Sequence, residues 1–182
     1  MAPILVVAIR LLVPLSILRW PLGGALASML VDMLDVVLVD TLARLLGEPP
    51  GFGPVYAELD KWLDLYYLTI EAYVASRWTE PLLRWTALAL FAWRVVGVVA
   101  FSVTAIPETL FIFPNLFENL YLYVLIARRF APRLVPRTAA QMLILLLILY
   151  IPKAVQEWLL HWEEAHPWQW LRDTILRPIV GG

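Results

Sequence analysis

Apolar residues run along this chain in long blocks, separated by short clusters of proline, glycine and charge. At 1.5 Å per helical residue, a block of about 20 crosses the hydrocarbon core of a bilayer. The pattern predicts helices over 4–20, 21–46, 58–78, 81–104, 108–127 and 138–160. The first is short and carries Arg10 in its middle, so it either spans or lies in the interface as an amphipathic segment. Segment 47–57 opens on Gly47-Glu48-Pro49-Pro50-Gly51-Phe52-Gly53-Pro54, a run of helix breakers, and is expected as an extramembrane loop. Pro107, Pro132 and Pro136 punctuate two later connections. In the tail, 167–182, Trp168, Leu171, Ile175 and Leu176 oppose Arg172, Asp173 and Arg177, the pattern of a short interfacial helix or of a last helix packed on a bundle. The expected fold is all-α: one polytopic transmembrane domain over 1–182, with about six membrane helices.

Composition sharpens this. The chain is 62% hydrophobic and 16% charged, with a mean hydropathy of +0.76, against about 45–50% and about 25% in soluble domains. A water-soluble globule of 182 residues cannot hide that much apolar side chain, and disorder fails for the same reason. A net charge of −1 and a pI of 6.1 leave no basic footprint for nucleic acid. The absence of cysteine excludes disulfides, Cys-ligated zinc, iron–sulfur clusters and thiol catalysis. His161 and His166 are five apart and miss the i, i+4 ligand spacing of a helix. No cofactor is expected.

Arg128, Arg129, Arg133 and Arg137 crowd the connection between the fifth and sixth helices, whereas 104–109 holds no Lys or Arg. The positive-inside rule then puts 128–137 in the cytoplasm and 47–57 outside, in what is expected to be a prokaryotic plasma membrane. The same arginines suit anionic lipid headgroups. Seven tryptophans, Trp78 among them, fall at expected interfaces as belt residues.

The informative residues are polar groups inside the apolar blocks. Asp32 and Asp35 lie i, i+3 on the second helix; Asp60, Asp64, Tyr67 and Glu71 form one stripe of the third; Arg94 stands alone on the fourth; Asn115, Glu118 and Asn119 share a face of the fifth; Lys153, Gln156 and Glu157 share one of the sixth. Five mid-depth charges facing lipid (Asp32, Asp35, Glu71, Arg94, Glu118) cost roughly 15 kcal/mol, as much as a whole fold's stability. They must face one another, water or an ion. The expectation is one acidic, hydrated centre with Arg94 as its main cation, pairing with Glu118, Glu71 or Asp35. Acids outnumber bases there, so some carboxyls hold protons or a cation binds. Pro114-Asn115-x-x-Glu118-Asn119 and Pro152-Lys153-x-x-Gln156-Glu157 share a layout and predict two kinks beside polar clusters.

Asp32-x-x-Asp35, Ala43-Arg44 and Asp60-x-x-x-Asp64 together resemble the CDP-alcohol phosphotransferases, six-helix membrane enzymes, over roughly residues 30–66. The resemblance implies that Asp32, Asp35 and Asp60 ligate Mg or Mn and that Asp64 is the general base. The sequence departs from the family pattern at three points. Val36 and Tyr56 stand where glycines are expected, and Ala43 begins eight residues after Asp35 rather than four.

Three functions are therefore expected as alternatives. The first is binding or conduction of a cation or proton by Asp32, Asp35, Asp64, Glu71, Arg94, Asn115, Glu118, Asn119 and Lys153. The second is metal-dependent transfer of a phospholipid head group. The third is a non-catalytic subunit of a larger membrane complex, with the chain's partners being lipids, a second copy or that complex.

Overall fold

A computed structural model describes residues 1–49, 51–52, 56–106 and 108–161, the side chains of 57, 108, 153 and 156–161 excepted. The expected tail helix, the His166 motif and the side chains of Lys153, Gln156 and Glu157 lie outside the described residues. Among the described residues there is no strand. The order is α1 (Ala2–Leu12), a 3₁₀ segment (Val13–Leu18), α2 (Pro21–Leu46), α3 (Tyr56–Ser76), α4 (Pro81–Thr104), α5 (Glu108–Ile112), α6 (Leu116–Phe130), a short 3₁₀ turn (Pro132–Leu134) and α7 (Ala139–His161). Among the described residues, three segments are long and apolar enough to cross a membrane: Pro21–Leu46, Pro81–Thr104 and Thr109–Phe130.

Local chemistry sets the ends. Pro21 and Pro81 open α2 and α4, where the missing N–H costs nothing. Gly47 closes α2 with φ +69°, and the Glu48 N–H returns to the Ala43 carbonyl at 2.8 Å, a glycine-dependent left-handed stop.

Two expected helices are broken. The first run does not continue to residue 20. Pro14 cannot donate to the carbonyl four residues back, and the chain tightens into the 3₁₀ segment there. The fifth run is interrupted at Phe113–Asn115, so Pro114 separates α5 from α6 instead of bending one helix. Pro152, by contrast, lies inside a continuous α7. The two similar strings therefore do not form a structural repeat.

Glycine allows two close approaches. A Cβ on Gly24 would lie 2.4 Å from the Ile17 backbone nitrogen, so α2 crosses the 3₁₀ segment almost in backbone contact. A Cβ on Gly97 would lie 2.3 Å from Phe113 Cβ, so α4 seats the α5–α6 break. α3 packs against α1, the 3₁₀ segment, α2, α4 and α6. The main core gathers Leu68, Ala72, Leu83, Ala87, Phe117, Leu120, Tyr121 and Val124. Trp78 is part of it: its ring stacks on Tyr121 with centroids 5.7 Å apart, so it is a core residue rather than a belt residue.

The outside is apolar as well. On α7, Leu143, Ile144, Leu147, Ile148 and Ile151 are all more than half exposed, as are Trp85, Val96 and Val103 on α4. A helix apolar on both its packed and its outer face belongs in lipid.

At one end of the bundle Arg128 pairs with Glu80 at 2.6 Å and lies over the Trp78 ring. Partial burial raises the Glu80 carboxyl's affinity for a proton. A backbone N–H, the Thr79 hydroxyl and Arg128 outweigh that and hold it below the usual carboxylate range. A depressed value means stabilisation that is present at neutral pH and lost on acidification through it.

Two outcomes follow. Gly24→Ala should destabilise the detergent-solubilised protein by about 1–3 kcal/mol through overpacking, while Gly23→Ala, whose Cβ meets nothing closer than 3.9 Å, should be neutral or mildly stabilising; equal melting of the two variants refutes the close crossing. Between about pH 6 and pH 3, wild type should lose slightly more stability than Glu80→Gln, by less than about 1 kcal/mol for so exposed a pair. Parallel pH profiles would show the pair contributes nothing.

Candidate functional site: an arginine enclosed by four aspartates

The expected single acidic centre is two clusters, both built on the inward stripe of α3. Arg10 is the hub of the first, and its side chain is only 3% exposed. Nη1 donates to Asp35 Oδ2 at 2.5 Å and to Asp60 Oδ1 at 2.8 Å. Nη2 donates to Asp32 Oδ1 and, at 2.9 Å, to Asp64 Oδ1. One guanidinium thus bonds two carboxylates from α2 and two from α3. Its planar fork of donors is suited to this, whereas a lysine ammonium is not. The Tyr56 hydroxyl donates to Asp35 at 2.7 Å. Lys61 Nζ pairs with Asp60 at 2.6 Å and more loosely with Asp64 at 3.4 Å.

Four carboxylates face two cations here, which leaves two negative charges if all the groups are ionised. Carboxylate oxygens of Asp32, Asp60 and Asp64 lie within 4.8 Å of one another. Oxygen ligands around a hard divalent ion at about 2.0–2.6 Å lie no more than about 4–5 Å apart. The donor set, its spacing and its residual charge therefore fit a hard divalent cation. The Arg10 guanidinium lies against the same oxygens, so an ion there competes with Arg10.

The second cluster begins at Tyr67, three residues along α3 from Asp64. Tyr67 donates to Glu118 Oε1 at 2.7 Å, and Asn115 Nδ2 donates to Oε2 at 2.9 Å. Asn115 is also the N-cap of α6, its side chain accepting from the Glu118 N–H. Glu71 is buried nearby, and both its carboxyl oxygens are without a hydrogen-bond partner among the described residues.

Arg94 is not the central cation. It is buried and donates from Nη1 to the Phe113 carbonyl at 3.0 Å. The α5–α6 break at Phe113–Asn115 leaves that carbonyl outside the helical ladder, and an apolar interior requires a donor for it. Asn119 is half-buried and its side chain makes no hydrogen bond among the described residues, and the Lys153 side chain lies outside them. The structure thus brings Asp32, Asp35 and Asp64 together with Asp60, and separately Glu118 with Asn115 and Glu71.

Arg10, Lys61 and Tyr56 complete the first cluster and were not expected there. A signal for Arg10 existed: it is the base in the middle of the first apolar run, whose other base, Arg19, stands at its end, and nearby helices carry unbalanced acids.

Arg10→Met should cost about 3–5 kcal/mol, the usual penalty for stripping a buried charge of its partner. Adding Asp35→Asn or Asp64→Asn to Arg10→Met should recover part of that loss. Detergent unfolding of the single and double variants measures it, and an Arg10→Met protein as stable as wild type shows that Arg10 does not hold the aspartates together.

No family model matches the chain, and no curated protein or solved structure matches it. What the chain does therefore rests on the chemistry of these side chains.

Proposed function

We propose that this is a multispan membrane protein that binds a cation at Asp32, Asp60 and Asp64, beside Asp35, and exchanges it against the Arg10 guanidinium. In this reading the remaining long helices and the α1–3₁₀ segment join the three apolar spans in a bundle of about six. Residues 128–137 face the cytoplasm of a prokaryotic cell, as their arginines favour. The observation that carries the proposal is the two-charge excess of carboxylate over base in a cluster whose oxygens already stand at coordination spacing. A protein needing only rigid ion pairs has no use for that excess, which costs free energy in low dielectric unless a cation or protons offset it. From the cluster, the α3 stripe continues through Tyr67 to Glu71, a polar route along which a cation or proton passes on the conducting form of this reading.

Purified protein titrated with Mn²⁺ and followed by electron paramagnetic resonance should retain about one ion per chain. Asp32→Asn and Asp64→Asn should abolish retention. Arg10→Ala should tighten it per folded molecule, because the internal competitor is gone. No retention in wild type, or retention that survives both aspartate variants, overturns the proposal. Proteoliposome flux of H⁺ and of the bound ion, compared between wild type and the same variants, separates conduction from static binding.

A second reading has its own support. Asp32 and Asp35 from α2 meet Asp60 and Asp64 from α3 around one point, as the resemblance to the CDP-alcohol phosphotransferases implies. That reading expects Mg²⁺- or Mn²⁺-dependent turnover of a CDP-lipid, abolished by Asp64→Asn, with a cysteine at Gly51 labelled from the cytoplasmic side. Labelling only from outside, with no turnover, defeats it.

A further inference from the structure

Glu71 and Glu118 are neighbouring carboxyls with opposite surroundings. Glu118 accepts from the Tyr67 hydroxyl and the Asn115 amide, donors that suit an ionised carboxylate. Glu71 is 1% exposed, yet neither of its oxygens has a hydrogen-bond partner among the described residues. Glu118 is the charged group whose field reaches it, and that field repels a second negative charge. The other polar neighbour is Tyr121 on α6, whose buried hydroxyl is also without a partner.

Among the described residues, no cation from the other elements packed on α3 forms an ion pair with Glu71. Arg94 of α4 is bonded to the Phe113 carbonyl. Arg10 of α1 and the aspartates of α2 are bonded in the other cluster. The nearest member of that cluster on α3, Asp64, is seven residues away, about 10 Å along the axis. A carboxylate at Glu71 would be desolvated, undonated and beside a like charge. A neutral carboxylic acid there escapes the charge desolvation and the like-charge repulsion, and it carries an O–H that can pass toward Glu118 or water.

We propose that Glu71 and Glu118 form a proton-holding site inside the membrane, with Glu71 the protonated member and Glu118 the carboxylate. Two acids whose environments diverge in this way divide the roles of proton donor and acceptor between them. When the proton moves, the Glu71 O–H bond breaks and an O–H forms on Glu118, or on water. Transfer between the two carboxyls leaves the pair at one negative charge throughout. The site rests on burial and hydrogen bonding around Glu71 and does not require a cation at the aspartates.

Infrared spectroscopy of the purified full chain tests it. At neutral pH wild type should show the C=O stretch of a protonated carboxylic acid, shifted by transfer to D₂O. Carboxyl-¹³C labelling of glutamate should shift the band, and labelling of aspartate should leave it in place. Glu71→Gln should remove it, whereas Glu118→Gln should keep it at a changed frequency. A folded wild-type protein with no glutamic-acid band at neutral pH, or a band that survives Glu71→Gln, overturns the proposal. Should Glu71→Gln fail to fold, the isotope labels on wild type decide by themselves. Mn²⁺ retention is read in a separate experiment, so either site can fail without the other.

Discussion

The bundle is organised around the need to bury acidic side chains next to lipid, and at one point a single guanidinium meets that need. Arg10 joins α1 to α2 and α3 through four carboxylates. Its position depends on a chain of small structural facts. Pro14 ends regular α-helix and turns the chain into a 3₁₀ segment. Gly24 lets α2 lie against that segment's backbone. Val6 of α1 then packs with Val39 and Ala43 of α2, which fixes Arg10 over the Asp32–Asp35 face. A buried ion cluster of this kind adds little net stability compared with an apolar core, because desolvation opposes the attraction. Its effect is to make one arrangement of three helices far better than the others, since any slip leaves an aspartate without a donor.

A second constraint operates at the α5–α6 break. Breaking a membrane helix frees backbone groups that lipid cannot satisfy. Here α4 supplies what is needed. Arg94 bonds the Phe113 carbonyl, Gly97 makes room for the Phe113 side chain, and the Trp93 ring lies 4.5 Å from the Phe113 ring between centroids. The break in turn lets Asn115 act at once as the α6 N-cap and as a donor to Glu118. The same proline that costs a helix its continuity therefore places the acidic pair.

The sequence was readable wherever one residue type decides the outcome locally. Proline at residues 21 and 81 and glycine at 47 marked the ends of α2 and α4, and the spacing of Asp60, Asp64, Tyr67 and Glu71 marked the inward face of α3. It was unreadable where the outcome depends on which elements meet. Arg10 sits in a run whose length fits either a span or an interfacial segment, and its partners are set by the packing of α1 on α2 and α3. Arg94 looked like the counter-ion because it is a lone base at mid-depth. Its real partner is a main-chain carbonyl, and a carbonyl freed by a break leaves no trace in side-chain chemistry. Pro114 and Pro152 show the same limit: identical local layouts give a break in one place and an unbroken helix in the other.

Seen along α3, the molecule contains two different solutions to one problem. At Asp60 and Asp64 the acids are met by fixed cations, Arg10 and Lys61. Further along, the Tyr67 hydroxyl and the Asn115 amide donate to Glu118, and Glu71 has no hydrogen-bond partner among the described residues. The two environments differ in what they can exchange. A carboxylate held by a side-chain cation can trade it for a mobile ion of similar or higher charge, because the oxygens are already gathered. A carboxyl without a fixed ion-pair partner is kept neutral by a proton, and it gives that proton up only to a nearby base or against an arriving cation, because an ionised state would otherwise stand unpaired in low dielectric. Because both environments occupy one face of one helix, a change of charge at the aspartates alters the field felt by the glutamates within about 10 Å, with little solvent to screen it. On the reading proposed, this shared face couples the occupancy of the cation site to the protonation of Glu71.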